Sequence, residues 1–131
     1  MIIVDTTVWI DYLRGTLTPH TDWLDGQLTK ERLGLTDLIL CEVLQGITTD
    51  RQFAAVQEEL LRFEIFEAGT VNLAVEAALN YRRIRAAGRT VRKTIDSLIA
   101  TFCLMEGYSL LHNDRDYDPF EDVLGLKVIH P

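Results

Sequence analysis

The period of the apolar positions changes along this chain, and the changes mark out its elements. Ile2-Ile3-Val4 is an unbroken β-branched run and reads as a buried strand. Thr6 or Thr7 can cap a following helix with Trp9, Ile10 and Leu13 on its inner side, and Gly15 ends it. Residues 18 to 30 make a second helix candidate with Trp23, Leu24 and Leu28. Leu33-Gly34-Leu35-Thr36 predicts a brief strand, and residues 37 to 48 a helix. After the polar break Thr48-Thr49-Asp50, residues 51 to 62 are helical again. Phe63-Glu64-Ile65-Phe66 alternates and predicts a strand. A long helix runs from about Val71 to Ala87, stopping at Gly88, and another covers 94 to 106, closed by Gly107. Ser109-Leu110-Leu111-His112 and Leu126-Lys127-Val128-Ile129 predict two last strands. Strands that alternate with helices imply parallel pairing and an α/β layered fold.

No repeat, low-complexity tract or linker interrupts the pattern, so one domain over residues 1–131 is expected. At 47% hydrophobic residues, the chain can bury a core without a disulfide. Cys41 and Cys103 each lie in an apolar helical stretch, which predicts two buried free thiols and suits a reduced intracellular compartment. The longest apolar run, Leu98 to Met105, is far short of a membrane span. The N-terminus reaches an acid at Asp5 with no basic leader, so a soluble, cytoplasmic protein without a membrane role is expected. The net charge of −7 argues against a protein that simply coats nucleic acid. Either the acids form a solvated surface, or some gather at one site and are neutralised by cations.

Position separates these alternatives. In parallel α/β sheets, ligands bind beyond the carboxyl ends of the strands. Asp5 directly follows Ile2-Ile3-Val4, and Asp114 lies just past Leu110-Leu111-His112. Either alone can be a cap or a turn former. Glu42 is the only charge within Leu38–Leu44, where an unpaired carboxylate is costly to bury, so a salt bridge competes with a metal or catalytic role. Asp96 opens the helix Ile95–Ala100 and alone reads as a first-turn acid that suits the helix dipole. Together, several carboxylates with few histidines suit a hard divalent cation, Mg2+ or Mn2+. No Cys/His spacing supports zinc. Ions held this way can activate water and stabilise a leaving oxygen, which makes phosphodiester hydrolysis the natural reaction. No Ser-His-Asp order and no phosphate-binding glycine loop is present.

Arg82, Arg83, Arg85, Arg89, Arg92 and Lys93 lead into Asp96. They read either as a solvated helix end with packing stems or as a phosphate track, for which Arg92 and Lys93 are the nearest candidates. Asp116 can be a further ligand or an outer acid, whereas Asp118, before Pro119, reads as a turn residue. Thr6 and Asn113 flank two proposed ligands and can hold waters or carboxylates, or merely cap. His112 lies near the site but reads as structural.

Four segments, in this order and spacing, resemble the PIN-domain ribonucleases, in particular the VapC toxins of toxin–antitoxin pairs. They are Ile3–Asp11, Glu42 in its apolar helix, Thr94–Ala100, and Leu110–Tyr117. The resemblance spans the whole chain. It implies a three-layer α/β/α fold with a central, mainly parallel sheet and an acidic pocket at the strand ends. It assigns catalysis and metal binding to Asp5, Glu42, Asp96 and Asp114, with Asp116 as a further acid. It also implies endonucleolytic cleavage of RNA such as tRNA or rRNA, inhibition of translation, a homodimer, and a VapB-like antitoxin. Such antitoxins insert a segment whose basic side chain can meet the acids. Thr7 departs mildly from the Ser or Asn of relatives, and His112 stands where Thr is frequent. A PIN nuclease of RNA processing and a catalytically silent binding module are the alternatives. The intact acidic quartet speaks against the second and the short chain against the first.

Overall fold

The fold rests on a four-stranded sheet assembled from segments that are far apart in sequence. The computed structural model describes all 131 residues. Its strands are β1 (Ile2–Val4), β2 (Leu33–Thr36), β3 (Glu64–Phe66) and β4 (Ser109–Leu111), all parallel, in the order β3-β2-β1-β4. The helices are α1 (Thr6–Arg14), α2 (Pro19–Gln27), α3 (Asp37–Gln45), α4 (Asp50–Leu60), α5 (Val71–Ala86), α6 (Thr94–Glu106) and α7 (Asp118–Leu124). β1 and β2 are buried along their whole length, as continuous apolar strands between helical layers should be.

Local chemistry explains most boundaries. Thr18, Thr36, Thr49 and Thr70 each accept a backbone N–H from the first turn of the next helix. Gly15 and Gly107 end α1 and α6 in the left-handed conformation, at φ 73° and 72°. Gly34 is needed for a different reason. A Cβ there would lie 2.9 Å from the Glu64 carbonyl oxygen and 3.1 Å from the Phe66 ring, so only glycine lets β3 close on β2.

Three readings from sequence need correction. The expected strand at 126–129 makes only a single parallel bridge, Val128 to Leu110, because only one short stretch beyond β4 meets the sheet edge. Residues 118–124 form α7, which the pattern did not predict. Asp118 therefore opens a helix rather than serving only a turn, and Pro119 sits at its start, where a missing N–H costs nothing. Cys41 is exposed while Cys103 is buried, since only one of the two faces the core side of its helix.

The strand order positions the site. The chain passes from β1 to β2 to β3 on one side, then returns to add β4 on the other side of β1. With right-handed crossovers, these two sets of connections leave the sheet on opposite faces, and a crevice opens between the carboxyl ends of β1 and β4. Val4 pairs with Leu111, so the residues that follow them, Asp5 and the 112–116 segment, meet at that crevice.

Candidate active site

Asp5 is almost fully buried, and the protein occupies both of its carboxylate oxygens. Oδ2 accepts from the Thr7 hydroxyl at 2.7 Å and from the Thr7 N–H at 3.2 Å, while Oδ1 accepts from the Tyr117 phenol at 2.7 Å. The capping role read for Asp5 is real, and it coexists with a place in the acidic cluster. The Thr7 hydroxyl also accepts the Asn113 N–H at 3.2 Å, which ties the end of β1 to the turn after β4.

Asp114 heads a 3-10 turn, Arg115–Tyr117, and its Oδ1 accepts the Asp116 N–H at 2.9 Å. That short turn brings the Asp116 carboxylate back beside Asp114. Asp96, in the first turn of α6, completes a triangle in which one carboxylate oxygen from each of Asp96, Asp114 and Asp116 lies within 4.8 Å of the others. Glu42 projects from α3 and accepts the Thr6 hydroxyl at 2.7 Å. The charges of Asp5 and Glu42 both act on Asp96, so all five acids read from the sequence share one electrostatic site.

Asp96 bears the strain of this arrangement. Its Oδ2 is buried without a hydrogen-bond partner. Burial, and then the negative charges of Asp5, Asp114 and Glu42, push its carboxyl from 3.8 up to about 7, against the attraction of Lys93. A first-turn acid serving only the helix dipole would titrate low. Asp96 does stand in the first turn of α6, but burial and the neighbouring acids outweigh the dipole there. Glu42 is also raised, by burial first and then by the Asp5 charge, with Thr6 and Lys93 opposing. Three grouped carboxylates, one with a buried and unpartnered oxygen, make a donor set for a hard cation, and the residues fit such a group. Asp96, Asp114 and Asp116 can hold a metal ion.

The cations divide into two groups. Lys93 stands at the N-cap of α6 without capping it, and its ammonium lies 3.7 Å from Asp114 and 3.8 Å from Asp116. The acids around it raise its pKa, Asp96 most. Arg92 approaches Asp116 at 3.9 Å. Arg83 instead donates to Asn80, and Arg85 to Thr90, away from the acids. A cleft of about 940 Å³ opens beside the triangle, lined by Arg89, Arg92, Arg115, Asn113, Asp114 and Asp116 among others, with no aromatic ring. Arg89 is paired with Asp122, whereas Arg115 makes no ion pair.

Sequence reasoning gave no site role to Thr7, Tyr117 or Arg115. The signal for Tyr117 was present, since an aromatic three residues after Asp114 is placed by a single tight turn. His112 is structural as expected. Its Nδ1 accepts the Asp114 N–H at 3.1 Å, its ring tilts against Tyr117, and burial holds its pKa down.

The fold and the site define a class: an α/β protein with a metal-fitting acidic cluster at the switch point of a parallel sheet. The sequence model described as PIN domain matches residues 2–123, and the chain belongs to that family. Ribonuclease VapC11 of Mycobacterium tuberculosis is 29% identical over 137 residues, covering 98% of this chain and 97% of its own length. The VapC ribonuclease Mb1587 of Mycobacterium bovis matches equally, at 29% over the same span. Among solved structures, VapBC2 of Rickettsia felis bound to a DNA fragment from its promoter superposes with a TM-score of 0.77 at 16% identity, over 98% of each chain. DNA-bound VapBC of Salmonella typhimurium gives 0.76 at 19% identity, over 98% of this chain and 96% of its own. The structural likeness is one of fold.

Proposed function

We propose that this chain, acting as one PIN domain over residues 1–131, is a divalent-metal-dependent endoribonuclease and the toxin of a VapBC-type pair. The observation that carries the reading is the triangle of Asp96, Asp114 and Asp116 carboxylates, one of them with a buried, unpartnered oxygen, beside a cleft lined by arginines. Asp5, Asp96, Asp114 and Asp116 hold the metal, Mg2+ or Mn2+, and Glu42 completes the acidic wall. A divalent ion held there would stabilise charge on phosphate oxygens and lower the pKa of water. Glu42, half-buried and raised in pKa, is the candidate to take a proton from an attacking water, and its hydrogen bond from Thr6 supports an oriented carboxylate. Lys93 and Arg92, exposed beside the acids, are the candidates for contacts to RNA phosphates. Asn113 borders the same cleft and holds the 112–116 turn through its backbone.

The relatives named VapC ribonucleases support an RNA substrate, and the VapBC neighbours a VapB-like antitoxin as partner; tRNA or rRNA as the target, with inhibition of translation as the outcome, is part of the same proposal. The apolar outer strip of α5, with Val71, Val75 and Tyr81 exposed, supports a homodimer. No helix is long and apolar enough to cross a membrane; a cytoplasmic site of action accords with the RNA substrate. The test is cleavage of total RNA by the purified protein with Mg2+, with EDTA, and with Asp96→Asn. Cleavage that needs metal and disappears in the variant is expected. Cleavage that persists in EDTA, or in a folded Asp96→Asn protein, overturns the assignment.

A further inference from the structure

We propose that Tyr117 is a positioning residue of the acidic site: its buried phenol holds the Asp5 carboxylate and so ties the end of β1 to the turn that carries Asp114 and Asp116. The inference rests on the proposed metal site and concerns how that site is held before a metal arrives.

Tyr117 has no solvent exposure, and its hydroxyl donates to Asp5 Oδ1 at 2.7 Å across 112 positions of sequence. The ring itself needs no hydroxyl. It packs against His112 with centroids 4.8 Å apart and against Phe120 at 6.5 Å, contacts that a phenylalanine would keep. The oxygen is therefore explained by its acceptor and not by packing.

The choice of a neutral donor has a chemical reason. Asp5 shares its surroundings with four other carboxylates and must be held in place among them. A cation in the position of Tyr117 would do this but would compete with the metal for the same charge. A phenol supplies a charge-assisted hydrogen bond and leaves the negative charge in place. The Thr7 hydroxyl holds the other oxygen and accepts from Asn113, so two separate links run from Asp5 to the 113–117 turn. Through them, the spacing between Asp5 and the Asp114–Asp116 pair is set by the protein. Partners that orient a ligand in this way commonly change metal affinity 10- to 100-fold when lost.

The experiment measures Mn2+ binding to RNA-free protein by electron paramagnetic resonance, alongside thermal melting in EDTA. Tyr117→Phe should bind Mn2+ about tenfold more weakly than the wild type with an unchanged circular dichroism spectrum. Tyr117→p-aminophenylalanine, which restores a neutral donor, should recover most of the affinity. In an Asp5→Ala background, where the phenol has nothing to hold, the phenylalanine substitution should leave Mn2+ affinity unchanged. An unaltered affinity in Tyr117→Phe, or an equal loss in both backgrounds, reduces Tyr117 to a packing residue and overturns the inference. A wild type that binds Mn2+ yet cleaves no RNA removes the nuclease reading and leaves the Tyr117 measurement standing. A wild type that binds no Mn2+ overturns both.

Discussion

Replacing Asp96 by asparagine should make the metal-free protein more stable at neutral pH, by an amount that depends on pH in a defined way. The Asp96 carboxyl sits at 3.8 in an unfolded chain and at about 7 in the fold, raised by burial and by its acidic neighbours. Below pH 4 both states hold the proton, and the substitution changes little. Between 4 and 7 the unfolded state releases its proton while the folded state keeps it, so wild-type stability falls as pH rises. Above 7 the penalty is complete. At 1.36 kcal/mol for each tenfold change in acidity, it amounts to about 4 kcal/mol as an upper figure, since neighbours relax around an ionised group. Asparagine carries no such penalty. Equilibrium urea unfolding of both proteins in EDTA, from pH 4 to 8.5, should show Asp96→Asn gaining on the wild type through this window and levelling off above it. Metal should narrow the difference. At 100 times its dissociation constant a bound ion adds about 2.7 kcal/mol to the wild type, and the variant forgoes it. A stability difference between the two proteins that stays flat from pH 4 to 8.5 in EDTA would refute the strained-carboxylate account of the site.

Three further outcomes follow from other contacts. Lys93→Met should tighten Mg2+ binding in calorimetry, because an ammonium within 4 Å of two acids competes for them, and should also weaken RNA binding; unchanged Mg2+ affinity would exclude the competition. Arg92→Ala should lower RNA affinity and reduce the slope of log K against log salt by about one, read in Ca2+ to suppress turnover; an unchanged slope would return Arg92 to a solvated helix end. Gly34→Ala should destabilise the fold by about 1–3 kcal/mol in urea, since the new methyl meets the β3 backbone at 2.9 Å, and a neutral result would mean that β3 moves freely away.

Much of the fold is legible in the chain because its signals are local. The β-branched run before Asp5, the threonine caps and the closing glycines set strands and helices close to where they occur. Parallel pairing follows from the alternation, and the rule that ligands meet strand ends located Asp5 and Asp114. Residue 118 shows where locality misleads. Asp118-Pro119 looks like a turn, yet proline is also a good first residue of a helix, and only the packing of Phe120 into the core chose α7. The cysteines mislead in the same way. Each lies in an apolar stretch, but the rotation of α3 relative to the sheet decides that Cys41 faces water.

The amino-acid sequence by itself determined the acids, their order, and the strand ends and helix starts that carry them. Tertiary structure decided which acids touch, and hence their chemistry. Asp96 is 18 residues from Asp114, and no spacing rule says that their oxygens come within 4.8 Å. Loss of water first, and then the charges of Asp5, Asp114 and Glu42, raise the Asp96 carboxyl to about 7, and its Oδ2 is buried without a partner. Likewise Tyr117 finds Asp5 only because β1 and β4 pair side by side. The physical reason is that interactions between charges depend on distance through space and on how much water remains between them. Periodicity along a chain encodes neither.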